Sequence, residues 1–422
     1  MRVLWIKSGG LVPLDTGGKI RSFNLLKELG KKHDVTLFTF YGAQANDAHS
    51  TLKQYFSKVV HLPVSLPAQR GVAETLSYVR NLSTLQPYSL SKYAVPEAAK
   101  VLRKLLMEDH YDVLICDFLF SAPIIPWDLQ VPKILFTHNV ETQIWERHYE
   151  VARNPVWKAV TWREYRTMAR AERRFLDMAD HVLTVSENDK KLFSKFLSPK
   201  NITVIPTGVD TEYFYPSQQL PQANRLVFTG SMDWMPNEDA ILYFAQDIFP
   251  RIRREIPSTT LWVVGRRPST KLQALVTESS GVHVTGTVED IRPFVWDAAV
   301  YVVPLRVGGG TRIKIFEAMA MGKPVVSTAV GAEGLPVEHG KDILLAESPQ
   351  DFTLQVVRLL REEEQRDKLG RAGRALVEHN FSWSAVSATF DEVFAKLMAD
   401  SHLLTKVRVT LEPKTPVFAK RQ

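Results

Sequence analysis

Hydrophobic positions in the first half of the chain fall into short runs that longer amphipathic stretches separate. The runs lie at 2–6, 34–40, 58–63, 112–116, 133–137, 181–185 and 202–205. Short runs rich in Val, Ile and Leu are typical of strands that are buried on both faces. Helical patterns, such as those at 19–31 and 98–108, stand between several of them. This alternation predicts a doubly wound parallel α/β sheet.

The alternation begins again after residue 224. Strands are predicted at 225–229, 260–264, 282–285, 300–303, 324–327 and 343–346, with helices at 237–256, 312–321 and 352–369. The polar, proline-containing stretch at 207–224 is typical of a linker. The sequence therefore predicts two Rossmann-like domains, at 1–206 and 225–380, that face a common cleft. A helix at 381–400 is expected to pack back toward the first domain, before a flexible tail at 401–422.

The composition is that of a folded protein. The chain has 422 residues, of which 45% are hydrophobic and 23% are charged, so it can form two cores. A net charge of +7 favours anionic partners, but no dense block of Lys and Arg indicates a nucleic-acid site. The single cysteine, Cys116, excludes an intrachain disulfide. Without a signal-peptide pattern or the roughly 20 apolar residues of a transmembrane helix, we expect a cytoplasmic protein, in solution or at the inner face of a membrane.

A glycine-rich segment follows the predicted strand at 300–303 and precedes a predicted helix. Gly308, Gly309 and Gly310 allow the backbone to approach a ligand closely. Backbone amides at a helix start favour a phosphate group, and Arg312 and Lys314 add two cations there. These cations oppose the helix dipole, and a bound diphosphate would remove that conflict. The alternative is a plain glycine turn beside surface cations.

Glu317 lies about one turn further along the same predicted helix. Its carboxylate is a natural acceptor of hydrogen bonds from the hydroxyl groups of a ribose. The glycine segment has neither the Walker A pattern nor GxGxxG, which disfavours ATP hydrolysis and NAD-dependent oxidoreduction. The segment and Glu317 together indicate a nucleotide whose diphosphate lies at the helix start.

Two glycine pairs bracket the loop between the first predicted strand and the first helix. Gly9 and Gly10 begin this loop, and Gly17 and Gly18 end it. A glycine pair before a helix permits close approach of a ligand and presents backbone amides to it. A plain connection is the alternative, although the loop is long for that purpose.

The segment GGGTRIKIFEAMAMGKPVVST at 308–328 resembles the donor-binding signature of retaining glycosyltransferases of family 4, which have the GT-B fold. It is most similar to the subgroup associated with exopolysaccharide and cell-surface sugar assembly. Further similarities follow in the family's order over residues 1–395: the loop at 9–18, HNVE at 138–141, VSE at 185–187, IPTGVDTEYF at 205–214, TGSMDWMPN at 229–237, VVG at 263–265 and FSW at 381–383. The resemblance implies transfer of a sugar from a nucleotide donor.

The resemblance also implies roles for residues at matching positions. Glu317 corresponds to the second glutamate of the family's Glu-x7-Glu motif, which binds the donor ribose. Gly310 and Thr311 would offer backbone amides to the sugar or the phosphate. The family's histidine at the position of His138 contacts the transferred sugar. Gly309 stands where the family has its first glutamate, so the sugar contact of that glutamate must come from elsewhere.

A second departure from the family concerns the groups that neutralise the diphosphate. The family's Arg and Lys pair is missing after the first strand of the second domain, where Gly230 begins the segment GSMDW. We therefore expect Arg312 and Lys314 to neutralise the diphosphate as catalytic groups, with Arg266 as a weaker candidate.

Three polar residues of the first domain have alternative interpretations. His138 follows a predicted strand, and its imidazole can bind a sugar hydroxyl in either protonation state, but a lone histidine is more often structural. Asp117 also follows a strand, where an acceptor contact and a plain surface aspartate are both open. Glu141 could cap the helix that it begins.

Residues 153–174 carry seven Lys and Arg residues against two glutamates, Glu164 and Glu172. Trp162, Tyr165 and Met168 follow one another at helical spacing. Such an aromatic stripe is usually core, and such charges are usually a solvated face. The alternative is docking to an anionic membrane or to a lipid-linked acceptor.

No Asp-x-Asp sequence occurs in the chain, although many transferases hold a divalent ion with that motif. The positive helix start with Arg312 and Lys314 would replace the ion. We therefore expect a metal-independent glycosyltransferase without a cofactor. It would move a sugar, with retention of configuration, from a nucleotide-diphosphate sugar to a glycan or lipid-linked acceptor. The alternatives are a nucleotide-sugar 2-epimerase of the same fold and a non-catalytic protein that binds sugar nucleotides.

Overall fold

The computed structural model describes residues 1–12, 14, 16–40, 51–64, 71–198, 201–277, 279–307 and 313–411. The chain forms two compact units. The first unit comprises Met1–Pro206 and the chain from Ser387 onward, and the second unit comprises Thr207–Val386. Each unit is built on one parallel sheet.

In its described residues, the first unit has a seven-stranded sheet in the order β3-β2-β1-β4-β5-β6-β7. The strands are β1 (Arg2–Ser8), β2 (Asp34–Phe40), β3 (Lys58–Leu62), β4 (Val113–Asp117), β5 (Lys133–Phe136), β6 (His181–Thr184) and β7 (Ile202–Val204). The side chains of residues 3–6 on β1 are fully buried, because helices cover both faces of the sheet. The strand order reverses between the adjacent strands β1 and β4, and ligands of such sheets bind at this switch point.

The helices of the first unit connect these strands. They are α1 (Gly17–Gly30), α2 (Val72–Asn81), α3 (Tyr88–Ser91), α4 (Pro96–Glu108), α5 (Glu141–Val151), α6 (Pro155–Met178) and α7 (Glu187–Phe193), with 3₁₀ turns at Thr51–Gln54 and Leu119–Ile124. Side-chain oxygens of Thr16, Asn154 and Ser186 cap the first turns of α1, α6 and α7. These caps satisfy backbone amides that have no partner within the helix.

The second unit repeats this plan with six strands in its described part, in the order β10-β9-β8-β11-β12-β13. The strands are β8 (Arg225–Thr229), β9 (Thr260–Val264), β10 (Val282–Val284), β11 (Val300–Val303), β12 (Val325–Ser327) and β13 (Leu344–Leu345). The helices of this unit are α8 (Met235–Tyr243), α9 (Phe249–Glu255), α10 (Thr270–Gln273), α11 (Arg292–Trp296), α12 (Ile313–Ala320), α13 (Pro349–Arg361) and α14 (Glu363–Asn380). The last helix, α15 (Trp383–Leu411), begins in this unit and belongs to the first unit from Ser387 onward. The switch point of this sheet lies between β8 and β11.

The predicted doubly wound fold is confirmed. All thirteen predicted strands are present in the described residues, and their ends differ from the prediction by at most two residues. The helix predicted at 237–256 is confirmed, and it contains a π-helical turn at Phe244–Ile248. The helix predicted at 352–369 is interrupted at Glu362. Basic residues in the last turn of α13 and acidic residues in the first turn of α14 favour that interruption.

Two segments outside the predicted domains have local structure. Helix α15 continues from the helix predicted at 381–400 into the predicted tail as far as Leu411, and the flexibility of that tail stays a prediction. The predicted linker at 207–224 is bound to the second unit. The Val209 N–H donates to the Phe381 carbonyl at 2.7 Å, and the Trp296 indole donates to the Tyr215 carbonyl at 2.7 Å. These two hydrogen bonds attach the stretch to the second unit, to which it belongs.

Candidate functional site

The switch point of the first unit holds a cluster of polar and aromatic side chains. We call Lys7, Arg21, Asp117, Phe118 and His138 the first-unit cluster. Lys7 is near the end of β1, Asp117 ends β4, and His138 follows β5. Because the carboxyl ends of parallel strands lie at one edge of the sheet, these three residues meet there.

The Asp117 carboxylate is fully buried at the centre of this cluster. It accepts hydrogen bonds from Lys7 Nζ at 3.0 Å, from Trp5 Nε1 at 2.9 Å and from His138 Nε2 at 2.8 Å. Burial by itself would raise the pKa of Asp117, but Lys7 and His138 hold that pKa well below its usual value. Burial also lowers the pKa of Lys7, and Asp117 opposes this shift. The buried carboxylate is therefore ionised and paired.

The hydrogen bonds of His138 fix its tautomer. Arg21 Nη1 lies 3.1 Å from His138 Nδ1, and a guanidinium can only donate. Nδ1 therefore accepts, and the ring proton is on Nε2, which donates to Asp117. Burial lowers the pKa of His138 to about 4, with Arg21 and Lys7 adding to the shift and Asp117 opposing it. His138 is thus a neutral imidazole with a partner on each nitrogen.

Phe118 covers the imidazole and has an unusual backbone. Its φ of 66° lies in the left-handed region, which costs a non-glycine residue on the order of 1–3 kcal/mol. Its ring stacks on His138 with 3.7 Å between the centroids, and Lys7 Nζ lies 4.5 Å from its centroid. A Cβ at Gly18 would lie 2.6 Å from the Phe118 ring, whereas one at Gly17 would meet nothing within 4 Å. The structure thus gives Gly18 a packing role against Phe118, while close approach of a ligand to Gly17 and Gly18 stays a prediction.

The second unit brings two of the predicted residues, Gly230 and Lys314, together at its own switch point. We call Gly230, Ser231, Asn237, Lys314 and Glu317 the second-unit cluster. Lys314 Nζ donates to Asn237 Oδ1 at 2.8 Å, and Asn237 Nδ2 donates to the Ser231 carbonyl at 2.8 Å. A Cβ at Gly230 would lie 2.6 Å from Asn237 Nδ2 and 2.8 Å from Lys314 Nζ, so a side chain at this position would displace both groups. The ammonium group is therefore held against the backbone that follows β8.

Glu317 lies one turn after Lys314 on α12. Among the described residues, none donates a hydrogen bond to its carboxylate, although part of the residue is exposed. Desolvation raises the pKa of this carboxyl to about 7, and Lys314 opposes the shift. A carboxylate with unused acceptor capacity can bind the hydroxyl groups of a ligand.

The remaining predicted site residues cannot be placed. Gly309, Gly310, Thr311 and Arg312 lie outside the described residues. Their assigned roles in holding the sugar and the diphosphate stay predictions. Within the described ranges, no group of three or more His, Cys, Asp or Glu side chains is arranged to hold a metal ion.

Sequence reasoning missed several of the residues that build these clusters. Lys7 gave a usable signal, because a lysine directly after the apolar run at 2–6, at the end of a buried strand, needs a buried partner. Asn237 gave a weaker signal as a polar residue in the first turn of α8. Phe118 gave none, since its positive φ and its stacking on His138 depend on tertiary packing.

The side chains of the basic helix α6 decide two interpretations that the sequence left open. Glu172 Oε1 accepts from the Glu141 N–H at 2.8 Å, so Glu172 caps α5 and Glu141 does not. Glu164 caps α3 in the same way, through the N–H of Tyr88 at 3.0 Å. Both glutamates are buried, whereas Trp162 is 52% exposed. The predicted apolar stripe is therefore wrong at Trp162.

Two models of glycosyltransferases match the chain in tandem, Glycosyltransferase Family 4 at residues 16–213 and Glycosyl transferases group 1 at residues 223–362. An MMP alpha-(1->4)-mannosyltransferase from Mycolicibacterium hassiacum is 27% identical over 280 residues, which are 64% of this chain and 66% of that protein. Sucrose-phosphate synthase from Thermosynechococcus elongatus has a TM-score of 0.63 at 19% identity, over 94% of this chain and 99% of that chain. The Anabaena protein HepE in complex with UDP has a TM-score of 0.61 at 16% identity, over 94% and 100% of the two chains.

These matches extend over both units and agree with the two parallel sheets described above. The structural likeness, at under 20% identity, shows the fold, and the tandem family models show the class of protein. The chain is a glycosyltransferase of the family 4 type with the GT-B fold. The alternative of a 2-epimerase is not favoured by these matches.

Proposed function

We propose that the protein transfers a hexose from a nucleotide-diphosphate sugar to a glycan or lipid-linked acceptor, with retention of configuration and without a metal ion. The observation that carries this proposal is the Lys314 ammonium, which Asn237 holds at Gly230 one turn before the Glu317 carboxylate. A cation fixed in place before the reaction stabilises the negative charge of a departing diphosphate. Arg312 would add a second charge at the same helix start.

Glu317 has the chemistry for the ribose of the donor. Its carboxylate has no hydrogen-bond donor in the described part of the chain, so the hydroxyl groups of a ribose could donate to it without displacing a protein group. Desolvation strengthens such a hydrogen bond once the carboxylate is ionised. Lys314 and Glu317 would thus bind two neighbouring parts of one nucleotide.

His138 would serve the transferred sugar as a fixed neutral imidazole and would not exchange protons with it. Its Nε2 proton is held by Asp117, and its Nδ1 already accepts from Arg21. A sugar hydroxyl would have to share or replace the Arg21 contact at Nδ1. We therefore assign deprotonation of the acceptor to a phosphate oxygen of the donor, as a retaining transfer permits.

We further propose that the protein acts in polysaccharide assembly at the cytoplasmic face of a membrane. In the described residues, no helix combines the length and the apolar character that crossing a bilayer requires. Helix α6 nevertheless exposes Val156 by 73%, Trp157 by 48% and Trp162 by 52% beside its basic residues. Exposed aromatic residues beside Lys and Arg suit the interface of an anionic membrane. Flotation with anionic and neutral vesicles tests this contact, and Trp162→Ala should weaken binding to the anionic vesicles alone.

The donor can be identified by ligand-dependent stability. The name of the Mycolicibacterium relative specifies mannosyl transfer, whereas the HepE structure contains UDP, so the base remains to be found. A ligand at 100 times its Kd stabilises the native state by about 2.7 kcal/mol. We expect one of the UDP-, GDP- or ADP-sugars to raise the melting temperature clearly above the other two. If none raises it, the proposed donor class is wrong.

Incubation of the protein with the donor alone distinguishes sugar transfer from isomerisation. A transferase releases nucleoside diphosphate over many turnovers only when an acceptor is present, apart from slow hydrolysis. A 2-epimerase would convert the sugar without any acceptor. Binding without turnover in any mixture would instead indicate a non-catalytic sugar-nucleotide-binding protein.

A further inference from the structure

The loops that follow β8 and β9 are bound to each other. A Cβ at Gly265 would lie 1.7 Å from the Gly230 carbonyl oxygen, so the backbones of the two loops are in direct contact here. The Met232 N–H donates to the Arg266 carbonyl at 2.9 Å. This pairing fixes the start of the Arg266 side chain beside the turn that follows β8.

Arg266 extends a chain of hydrogen bonds that ends at Lys314. Arg266 Nε donates to Ser231 Oγ at 2.7 Å. The carbonyl of Ser231 accepts from Asn237, which in turn accepts from Lys314 Nζ. Two cations that are far apart in the sequence are therefore both linked to the single turn formed by Gly230 and Ser231.

The guanidinium of Arg266 keeps two of its nitrogens available. Only its Nε has a hydrogen-bond partner among the described residues, and the side chain is exposed. Its neighbour Arg267 differs, because Arg267 Nη1 forms an ion pair with Asp233 at 3.0 Å. Ser231 thus binds Arg266 only at Nε, and Nη1 and Nη2 can donate to a ligand.

We propose that Arg266 binds the diphosphate of the donor as the second described cation of the site, together with Lys314. This assignment rests on the proposed nucleotide-sugar site. A guanidinium presents paired N–H groups that match two phosphate oxygens, and one fixed by Ser231 loses little side-chain entropy on binding. The chain has no Arg or Lys at 230–234, directly after β8, and Arg266 supplies a charge to that turn from the neighbouring strand. Arg266 thereby selects a nucleoside diphosphate over the corresponding monophosphate.

The test compares Arg266→Gln with Arg267→Gln, which removes the same charge at the adjacent, ion-paired residue. The ligand is the nucleoside diphosphate that wild type binds best among UDP, GDP and ADP. Calorimetric titration would measure the affinity of each variant for this diphosphate and for the corresponding monophosphate. Arg266→Gln should weaken diphosphate binding by about 10-fold or more, the scale of a hydrogen bond between charged groups. It should weaken monophosphate binding far less. Arg267→Gln should change either affinity by less than about threefold, as expected of an exposed ion pair.

Equal diphosphate affinities for the two variants would overturn the assignment of Arg266 and leave the nucleotide site in place. Equal losses for diphosphate and monophosphate in Arg266→Gln would overturn its role in selecting the diphosphate. A wild-type protein that binds none of the three diphosphates would overturn the proposed function as well. Ser231→Ala, which removes the anchor of Nε but no charge, should give a smaller loss than Arg266→Gln. Thermal unfolding of each variant without ligand checks that the fold is unchanged.

Discussion

At the switch point of the first unit, the Asp117 carboxylate accepts hydrogen bonds from Trp5, Lys7 and His138. At the switch point of the second unit, no described residue donates to the Glu317 carboxylate. The two sheets have the same strand order, apart from the extra edge strand β7. Topology therefore decides where polar side chains gather. The hydrogen-bond partners of these side chains decide whether a charged group is paired within the protein or is available to a ligand.

This difference predicts opposite consequences when a charge is removed. A buried ion pair that loses one partner leaves the other charge uncompensated in a medium that solvates it poorly. A carboxylate that no protein group uses can be neutralised at little cost to the fold. The first-unit cluster should therefore control stability, and the second-unit cluster should control nucleotide binding and turnover.

The largest expected effect is that of Asp117→Asn on stability. Lys7 would lose its buried counter-charge, so the free energy of unfolding should fall by about 3–5 kcal/mol. Urea unfolding of the purified variant measures this loss. The double variant Lys7→Met/Asp117→Asn removes both charges and should recover part of it. A loss below about 1 kcal/mol, the scale of an exposed pair, would contradict the comparison.

Lys314→Ala should have the largest effect on turnover. The departing diphosphate would lose a positioned positive charge, and kcat should fall about 100-fold or more. Steady-state release of nucleoside diphosphate measures the change. Lys341→Ala is the control, because Lys341 is exposed and pairs only with Glu338 among the described residues. Unchanged turnover in Lys314→Ala would remove the basis of the proposed mechanism.

Glu317→Gln should weaken nucleotide binding by about 10-fold, since a charged acceptor is replaced by a neutral one. The pKa of about 7 gives this contact a pH dependence. Affinity of wild type should rise as pH increases through that value, and the variant should lack the rise. The sign for stability is opposite. Because the folded pKa is above the ordinary 4.5, Glu317 should reduce the free energy of unfolding as pH rises from 4.5 to about 7.

The last prediction concerns the pH dependence of stability at His138. Its pKa is lowered from 6.5 to about 4, so the unfolded chain takes up a proton on this residue before the folded protein does. Stability should therefore decrease as pH falls from 6.5 to about 4, and His138→Gln should show less of that decrease. His181→Gln is a comparison variant that should change stability in the same direction, since burial also lowers the pKa of His181 to about 4. A pH-rate profile with a limb near 6.5 that His138→Gln abolishes would contradict the neutral imidazole.

Much of the fold could be predicted because each strand is a run of apolar residues with few competing interpretations. The interruption at Glu362 was missed, since apolar residues recur at helical spacing from α13 into α14. Only the charged residues at the end of α13 and the start of α14 mark the break. The site was predicted less completely. Gly230, Lys314 and Glu317 lie in recognisable segments, whereas the pairing of Arg21 with His138 joins residues 117 positions apart. No local pattern predicts such a contact, because it exists only after the strands have assembled.

The first unit is not a continuous segment of the chain. Phe390 on α15 is fully buried, with its ring centroid 5.8 Å from that of Trp5 and 5.9 Å from that of Phe136. Asp391 forms an ion pair with Lys32 and a hydrogen bond with His33. During translation, residues 1–206 emerge long before these partners do, so the nascent sheet stays partly uncovered until Phe390 and Asp391 have left the ribosome. A fragment that stops at residue 206 would keep an apolar surface open, and it is a poor choice for isolating the first unit.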